Sequence, residues 1–276
     1  MESPAYFGYL QIIASLGLKA VEIPTDPSAG ISLEALRVAL EAHAAKALII
    51  TPSFQNPTGA CLTNARKQEL YAILCDYNVV AIEDDIYGDL HFGAERPKPL
   101  KAWDTEGRVL LCSSLSKSLT PGISLGWLAA GAYRDRIEAA KWAEASMLSQ
   151  RIAARFLQEG FDRHLRQLRT RFRSQLESAR KVIAAAFPKG TRITEPRGGY
   201  LLWVELPEAI DAVKLREAAL REKIGLAPGS AFTLRDRYRH CLRVNCGLPW
   251  TAEFERALKL VGRLAAFQQT QAGRRP

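Results

Sequence analysis

The sequence predicts an α/β protein, on three observations. Short continuous apolar runs, Ala47-Leu48-Ile49-Ile50, Val79-Val80-Ala81-Ile82 and Val109-Leu110-Leu111-Cys112, have the length and composition of strands covered on both faces. Amphipathic helical stretches alternate with them, which is the pattern of a mainly parallel sheet flanked by helices. The unusual polar residues follow directly after the apolar runs, where ligands collect in such sheets.

At the start, Ser3-Pro4-Ala5-Tyr6-Phe7-Gly8 reads as a turn with two aromatics, and Tyr9 to Leu16 as a helix closed by Gly17. Val21-Glu22-Ile23-Pro24 reads as a short strand. Ser32 can cap a helix carrying Leu33, Leu36 and Leu40 on one face. After the strand at 47–50 come the loop Thr51 to Gly59, a helix over 64–77, and a strand ending in Glu83-Asp84-Asp85-Ile86-Tyr87. The strand at 109–112 leads into Ser113-Ser114-Leu115-Ser116-Lys117-Ser118, then Pro121, Gly122 and the run Trp127 to Ala130. A long helical region is expected over 134–186, broken near Gly160. Beyond it the pattern gives a strand at 200–206, a helix at 212–222, a short strand at 224–226, a strand at 241–246 and a helix at 251–267. This divides the chain into a large domain over 1–160, a smaller C-terminal α/β domain over 161–267 and a polar, flexible tail over 268–276.

Composition narrows the function classes. With 276 residues and 47% hydrophobic content the chain can bury a real core. No apolar run reaches the length of a bilayer span, and Met1-Glu2-Ser3-Pro4 lacks the basic-then-apolar order of a secretory signal, so a cytoplasmic protein with no membrane partner is expected. The five cysteines show no metal or disulfide spacing, and no metal is expected. The net charge of +9 raises the question of nucleic acid. Much of it lies in Arg163 to Arg173, where Leu165, Leu168 and Phe172 recur at helical spacing, so the basic residues read as the solvated side of an amphipathic helix, with contact to an anionic ligand or partner as the other reading.

Lysine is normally a surface residue, yet Lys117 stands among small hydroxyl residues just past a buried strand. A lysine amine can form a Schiff base with an aldehyde cofactor, and pyridoxal phosphate also needs a carboxylate for its ring nitrogen, donors for its phenolate oxygen and hydroxyls for its phosphate. Asp84, Tyr87, Asn56, Ser114 and Ser116 supply those groups, each just past a predicted strand.

The ordered set Asn56-Pro57, Asp84-x-x-Tyr87, Ser114-x-Ser116-Lys117 and Arg243 resembles that of the class I/II aminotransferases, pyridoxal-phosphate enzymes of fold type I. The likeness runs from about Tyr6 to Leu264. The segments Glu83 to Phe92 and Cys112 to Gly122 look most like MocR-type proteins, which join a GntR-like DNA-binding domain to an aminotransferase-like effector domain. The resemblance implies that Lys117 binds the cofactor covalently and shuttles the substrate's proton, and that Asp84 keeps the pyridine nitrogen protonated. Tyr87 and Asn56 would donate to the ring oxygen, Tyr6 would stack on the ring, and Ser114 and Ser116 would bind phosphate. Arg243 would clamp a substrate carboxylate with its planar fork. A surface ion pair is the other reading of Arg243.

It further implies a homodimer, an often cis Asn56-Pro57 bond, and an amino acid or other carboxylate-bearing amine as substrate or effector. Two departures stand out. The chain reads as shortened at its N-terminus, without the upstream glycine-rich phosphate loop or a DNA-binding domain. Seven residues after Lys117, where MocR-type proteins carry a phosphate-binding arginine, stands Ser124. The expected function is a pyridoxal-phosphate-dependent aminotransferase-like domain. The alternatives are a non-catalytic sensor domain of a regulator or an inactive fragment of one.

Overall fold

The computed structural model describes residues 1–141 and 143–272. The chain opens with β1 (Glu2–Ser3) and helix α1 (Phe7–Ser15), followed by β2 (Ile23–Asp26) and β3 (Gly30–Ile31). Strands β1 and β2 run parallel, and β3 returns antiparallel to β2. Helix α2 (Leu33–Ala42) starts at Ser32, whose side chain accepts from the Ala35 amide at 3.2 Å, as its capping chemistry predicts.

Strand β4 (Ala47–Ile50), helix α3 (Asn64–Asp76), β5 (Val80–Asp84), β6 (Val109–Ser114) and β7 (Gly126–Ala129) form the large unit. Its sheet has the order β4-β5-β6-β7. The first three strands are parallel, with Glu83 opposite Leu111 and Asp84 opposite Cys112, and β7 is antiparallel to β6, with Ser114 opposite Gly126. The expected mainly parallel sheet is therefore present with one antiparallel edge strand. Trp127 and Leu128 on that edge are 47% and 39% exposed, although an apolar run normally reads as buried. The strands reach further than the apolar runs suggest. Asp84 and Ser114 are the last residues of β5 and β6, because ladder hydrogen bonds continue past the hydrophobic stretch.

The helical region divides into α4 (Arg134–Ala140), α5 (Met147–Glu159) and α6 (Phe161–Ala186), with the break at Gly160 where it was expected. After α6 come β8 (Arg192–Ile193), β9 (Leu201–Glu205), α7 (Ala212–Arg221), β10 (Ala227–Pro228), β11 (Cys241–Asn245) and α8 (Ala252–Ala272). The second sheet, β10-β11-β9-β8, is entirely antiparallel. Three expectations change here. The short strand lies at 227–228 rather than 224–226, and the two-residue β8 has no periodic signal. The polar stretch expected to be a tail from 268 is helical through Ala272, since its three glutamines and Ala272 are compatible with helix and extend α8. Residues 273–276 lie outside the described residues.

Two main cores hold these sheets. One packs Leu36, Ile50, Leu70, Ile73, Leu74 and Val109 around β4 to β6. The other packs Ile183, Leu202, Val204, Leu215, Leu242 and Val261 between the antiparallel sheet and α6 to α8. The N-terminal segment stitches the two. Buried Glu22 accepts from Ser3 Oγ (3.0 Å), Thr233 Oγ1 (2.8 Å) and the Leu234 amide (3.1 Å), and the Ala5 amide donates to the Phe232 carbonyl at 2.8 Å. Among the described residues no helix is long and apolar enough to cross a membrane.

Candidate active site

Strand ends assemble the site. Three acids in succession close β5, and strand alternation sends Glu83 and Asp85 to one face and Asp84 to the other. Glu83 accepts from the amides of Leu100 (2.6 Å) and Lys101 (2.8 Å), while Asp85 pairs with Arg96. On the opposite side, Asp84 accepts from the Ile86 amide at 3.0 Å through Oδ1 and from the Tyr9 hydroxyl through Oδ2. Burial raises the Asp84 pKa, opposed by the Tyr9 hydrogen bond, the Ile86 amide and the nearby Lys117 cation.

Lys117 sits in the turn that leaves β6, half-buried. That turn is pinned by the β6–β7 hairpin, with the Leu115 amide donating to the Leu125 carbonyl at 3.0 Å. His164 Nε2 of α6 meets the Ser118 carbonyl at 2.9 Å. Ser114 Oγ lies 2.8 Å from Ser116 Oγ and accepts from the Ser116 amide at 3.0 Å, so the two hydroxyls are adjacent at the head of the turn. Ser124 is exposed, and its backbone is left-handed (φ 46°) at the end of a short 3₁₀ turn.

Asn56 and Arg243 come together although 187 residues separate them: Arg243 Nη1 donates to Asn56 Oδ1 at 3.1 Å. The Asn56-Pro57 peptide is cis. Arg243, on β11, places its guanidinium 5.0 Å from the Phe232 ring centre, and its buried Nε has no partner among the described residues. Burial pushes its pKa down, which the Tyr87, Tyr200 and Tyr6 phenols counter in part. Tyr87 is buried, with its ring 5.5 Å from that of Tyr200 in an edge-on contact. Burial first, and then Tyr200 and Asp84, raise the Tyr87 phenol pKa, while Arg243 opposes them. Tyr87 thus lies within electrostatic reach of both Asp84, the last residue of β5, and Arg243, in the middle of β11. Tyr6 caps α1 and folds its ring back over Gly8, where a Cβ would meet Tyr6 Cε1 at 2.5 Å.

The Gly198-Gly199 turn before Tyr200 is a close-approach loop. A Cβ on Gly198 would meet the Phe54 ring at 2.5 Å, and Gly199 has φ +72°. A cleft of about 980 Å³ elsewhere, lined by Cys61, Arg173, Arg180 and Arg192 among others, includes none of the expected site residues. Those three arginines are paired with Glu177, Glu195 and Glu205.

Sequence reading missed Tyr9 and Lys67, and met Tyr200 only within Gly198-Gly199-Tyr200, which reads as a close-approach loop near the substrate or a plain turn before a strand. Tyr9 follows Tyr6 by three positions, a spacing that puts both on one helix face. Lys67, fully buried, donates to Ser53 Oγ (2.8 Å) and the Lys98 carbonyl (2.7 Å) beneath the Asn56 loop. Its spacing to Leu70 and Leu74 on the buried side of α3 is the signal.

The family model for "Aminotransferase class I and II" matches residues 1–260. The HTH-type transcriptional regulator YjiR of Escherichia coli (strain K12) is 42% identical over 266 residues, covering 95% of this chain and 57% of that protein. Aromatic-amino-acid aminotransferase 1 of Thermococcus litoralis is 31% identical over 255 residues, covering 89% of this chain and 61% of that protein. Among solved structures, the alpha-aminoadipate aminotransferase LysN of Thermus thermophilus, complexed with N-(5'-phosphopyridoxyl)-L-leucine, superposes with TM-score 0.90 at 27% identity, covering 98% of this chain and 71% of that chain. The chain thus spans little more than half the length of the regulator it matches. With the matched residues running through both sheets and through Asn56, Asp84, Lys117 and Arg243, the chain belongs to the aminotransferase class I and II family.

Proposed function

We propose that this chain binds pyridoxal phosphate at Lys117 and transfers the amino group of a carboxylate-bearing amine. The observation that supports this is a linked set: half-buried Asp84 lies near Lys117, Tyr87 lies near both Asp84 and half-buried Arg243, and Arg243 bonds to Asn56. The donor set fits the cofactor: Asp84 is an acceptor for a protonated ring nitrogen, Tyr87 lies near Asp84 and Asn56 is bonded to Arg243 for the ring oxygen, and Ser114 and Ser116 are neighbouring hydroxyls for phosphate. The Arg243 Nε, buried and without a partner among the described residues, fits a carboxylate, because a buried N–H left unpaired is costly. Ser124 adds no charge to the phosphate end, so phosphate affinity rests on neutral donors there.

When bound, pyridoxal phosphate supplies an aldehyde that captures amines and a cationic ring that withdraws electrons from the substrate's α-carbon. The protein's share is positional. Arg243 orients the carboxylate, Tyr6 covers the ring face, Asp84 holds a proton on the ring nitrogen, and Lys117 Nζ takes up and returns the proton on the α-carbon.

Mixing the purified protein with pyridoxal phosphate is expected to give a visible absorption band that Lys117→Ala abolishes. Persistence of the band in that variant would refute the assignment. The 42% identity to an HTH-type regulator favours a second reading, in which the domain binds cofactor and amino acid to report on them. The measurement that separates the two is 2-oxo acid formation from a panel of amino acids, which only the transferase performs. A homodimer completes the proposal, supported by the exposed Met147, Leu148 and Ile152 on α5 and tested by sedimentation velocity.

A further inference from the structure

We propose that Tyr9 is a positioning residue for Asp84: its hydroxyl fixes the carboxylate's orientation and keeps it an anion for the ring nitrogen. The inference rests on the cofactor reading above and assigns a role to a residue outside the expected set.

The carboxylate is held at both ends. Ile86 N–H occupies Oδ1 at 3.0 Å, and the Tyr9 hydroxyl donates to Oδ2, so neither oxygen can rotate away. An ionised carboxylate offers about four lone-pair positions, so two remain for a ring N–H. Tyr9 is itself fixed. Its oxygen lies 3.4 Å from Thr51 Oγ1, and its ring meets the Tyr6 edge at 5.4 Å between centres. The Thr51 amide donates to Glu2 Oε1 at 2.8 Å, which ties this contact to β1. The first turn of α1 thus supplies both the expected stacking ring and the partner of the expected nitrogen-binding acid.

The hydroxyl has an electrostatic task as well. Desolvation of the half-buried Asp84 favours its neutral form, and a neutral acid cannot stabilise a pyridinium. The titratable groups around it are Tyr9 of α1, Glu2 of β1, Cys112 of β6, Tyr87 and Lys117. Lys117 favours the anion, but its amine is the group committed to the cofactor. The Tyr9 hydroxyl and the Ile86 amide are neutral donors that favour the anion throughout, and Tyr9 is the one whose side chain supplies the bond.

The test is Tyr9→Phe, which keeps the ring and removes only the oxygen. In cofactor-free protein, carboxyl ¹³C NMR follows Asp84, identified by the signal lost in Asp84→Asn. Its titration is expected to move up by roughly one pH unit in Tyr9→Phe. With the cofactor's amine form, pyridoxamine phosphate, which cannot bond covalently to lysine, calorimetric affinity is expected to fall roughly tenfold. In the Asp84→Asn background the same substitution is expected to leave that affinity unchanged, since the effect acts through the carboxylate. An unmoved Asp84 titration, or equal losses in both backgrounds, would overturn the inference. If the wild type gives no Lys117-dependent band, the cofactor reading fails instead, and the NMR titration still decides what Tyr9 does to Asp84.

Discussion

Arg243 is the residue whose environment says most about its task. It is half-buried, bonded once to Asn56, and its Nε has no partner among the described residues although three phenols lie near. Arg243→Lys keeps the charge but loses the bidentate fork. It is expected to raise KM for the amino acid about tenfold or more with a smaller change in kcat, read from steady-state kinetics. Lys67 is the structural counterpart: a buried cation near Glu83 and Asp85, its pKa lowered by burial. Truncation to Ala removes the donor to Ser53 and Lys98 and leaves those acids without that charge. A stability loss of about 3 kcal/mol is expected in urea titrations.

At the scale of elements, β5 shows how a run of like charges is made tolerable. Alternation separates Asp84 from its two neighbours, and each acid finds its own partners. Burial still pushes the Glu83 pKa up to about 7 from 4.5, against the Lys101 and Leu100 amides. A raised carboxyl pKa means that the folded state holds more protons than the unfolded state across that window. The Glu83 contribution is therefore full below pH 4.5 and lost as pH rises through about 7. Glu83→Gln should flatten the pH dependence of the urea midpoint between those limits. The loop after β8 makes a steric demand of its own. Gly198→Ala drives a methyl into Phe54, with an expected cost of about 1–3 kcal/mol in thermal unfolding.

Across the whole molecule, the candidate site depends on two sheets meeting, since Asp84 ends a strand of the mainly parallel sheet and Lys117 follows another, while Arg243 belongs to the antiparallel one. Glu22 is a joint between the N-terminal segment and residues 233–234. Removing its carboxylate strands two hydroxyls and an amide near the junction. Glu22→Ala is expected to separate one calorimetric unfolding transition into two, the first about 3 kcal/mol less stable than the wild type.

Local chemistry was legible in the residues: buried parallel strands as apolar runs, the cap at Ser32 and the break at Gly160, and polar groups at strand ends. Each of these depends on neighbours in sequence, so the chain alone determined the α/β class and where Lys117, Asp84 and Asn56 would stand. The tertiary structure decided what lies beyond the reach of periodicity. It placed Arg243 on Asn56, turned Trp127 outward on an edge strand, and extended α8 past the apolar repeat. It also brought Tyr9 onto Asp84 across 75 residues, because a hydrogen bond between distant elements leaves no pattern in either segment.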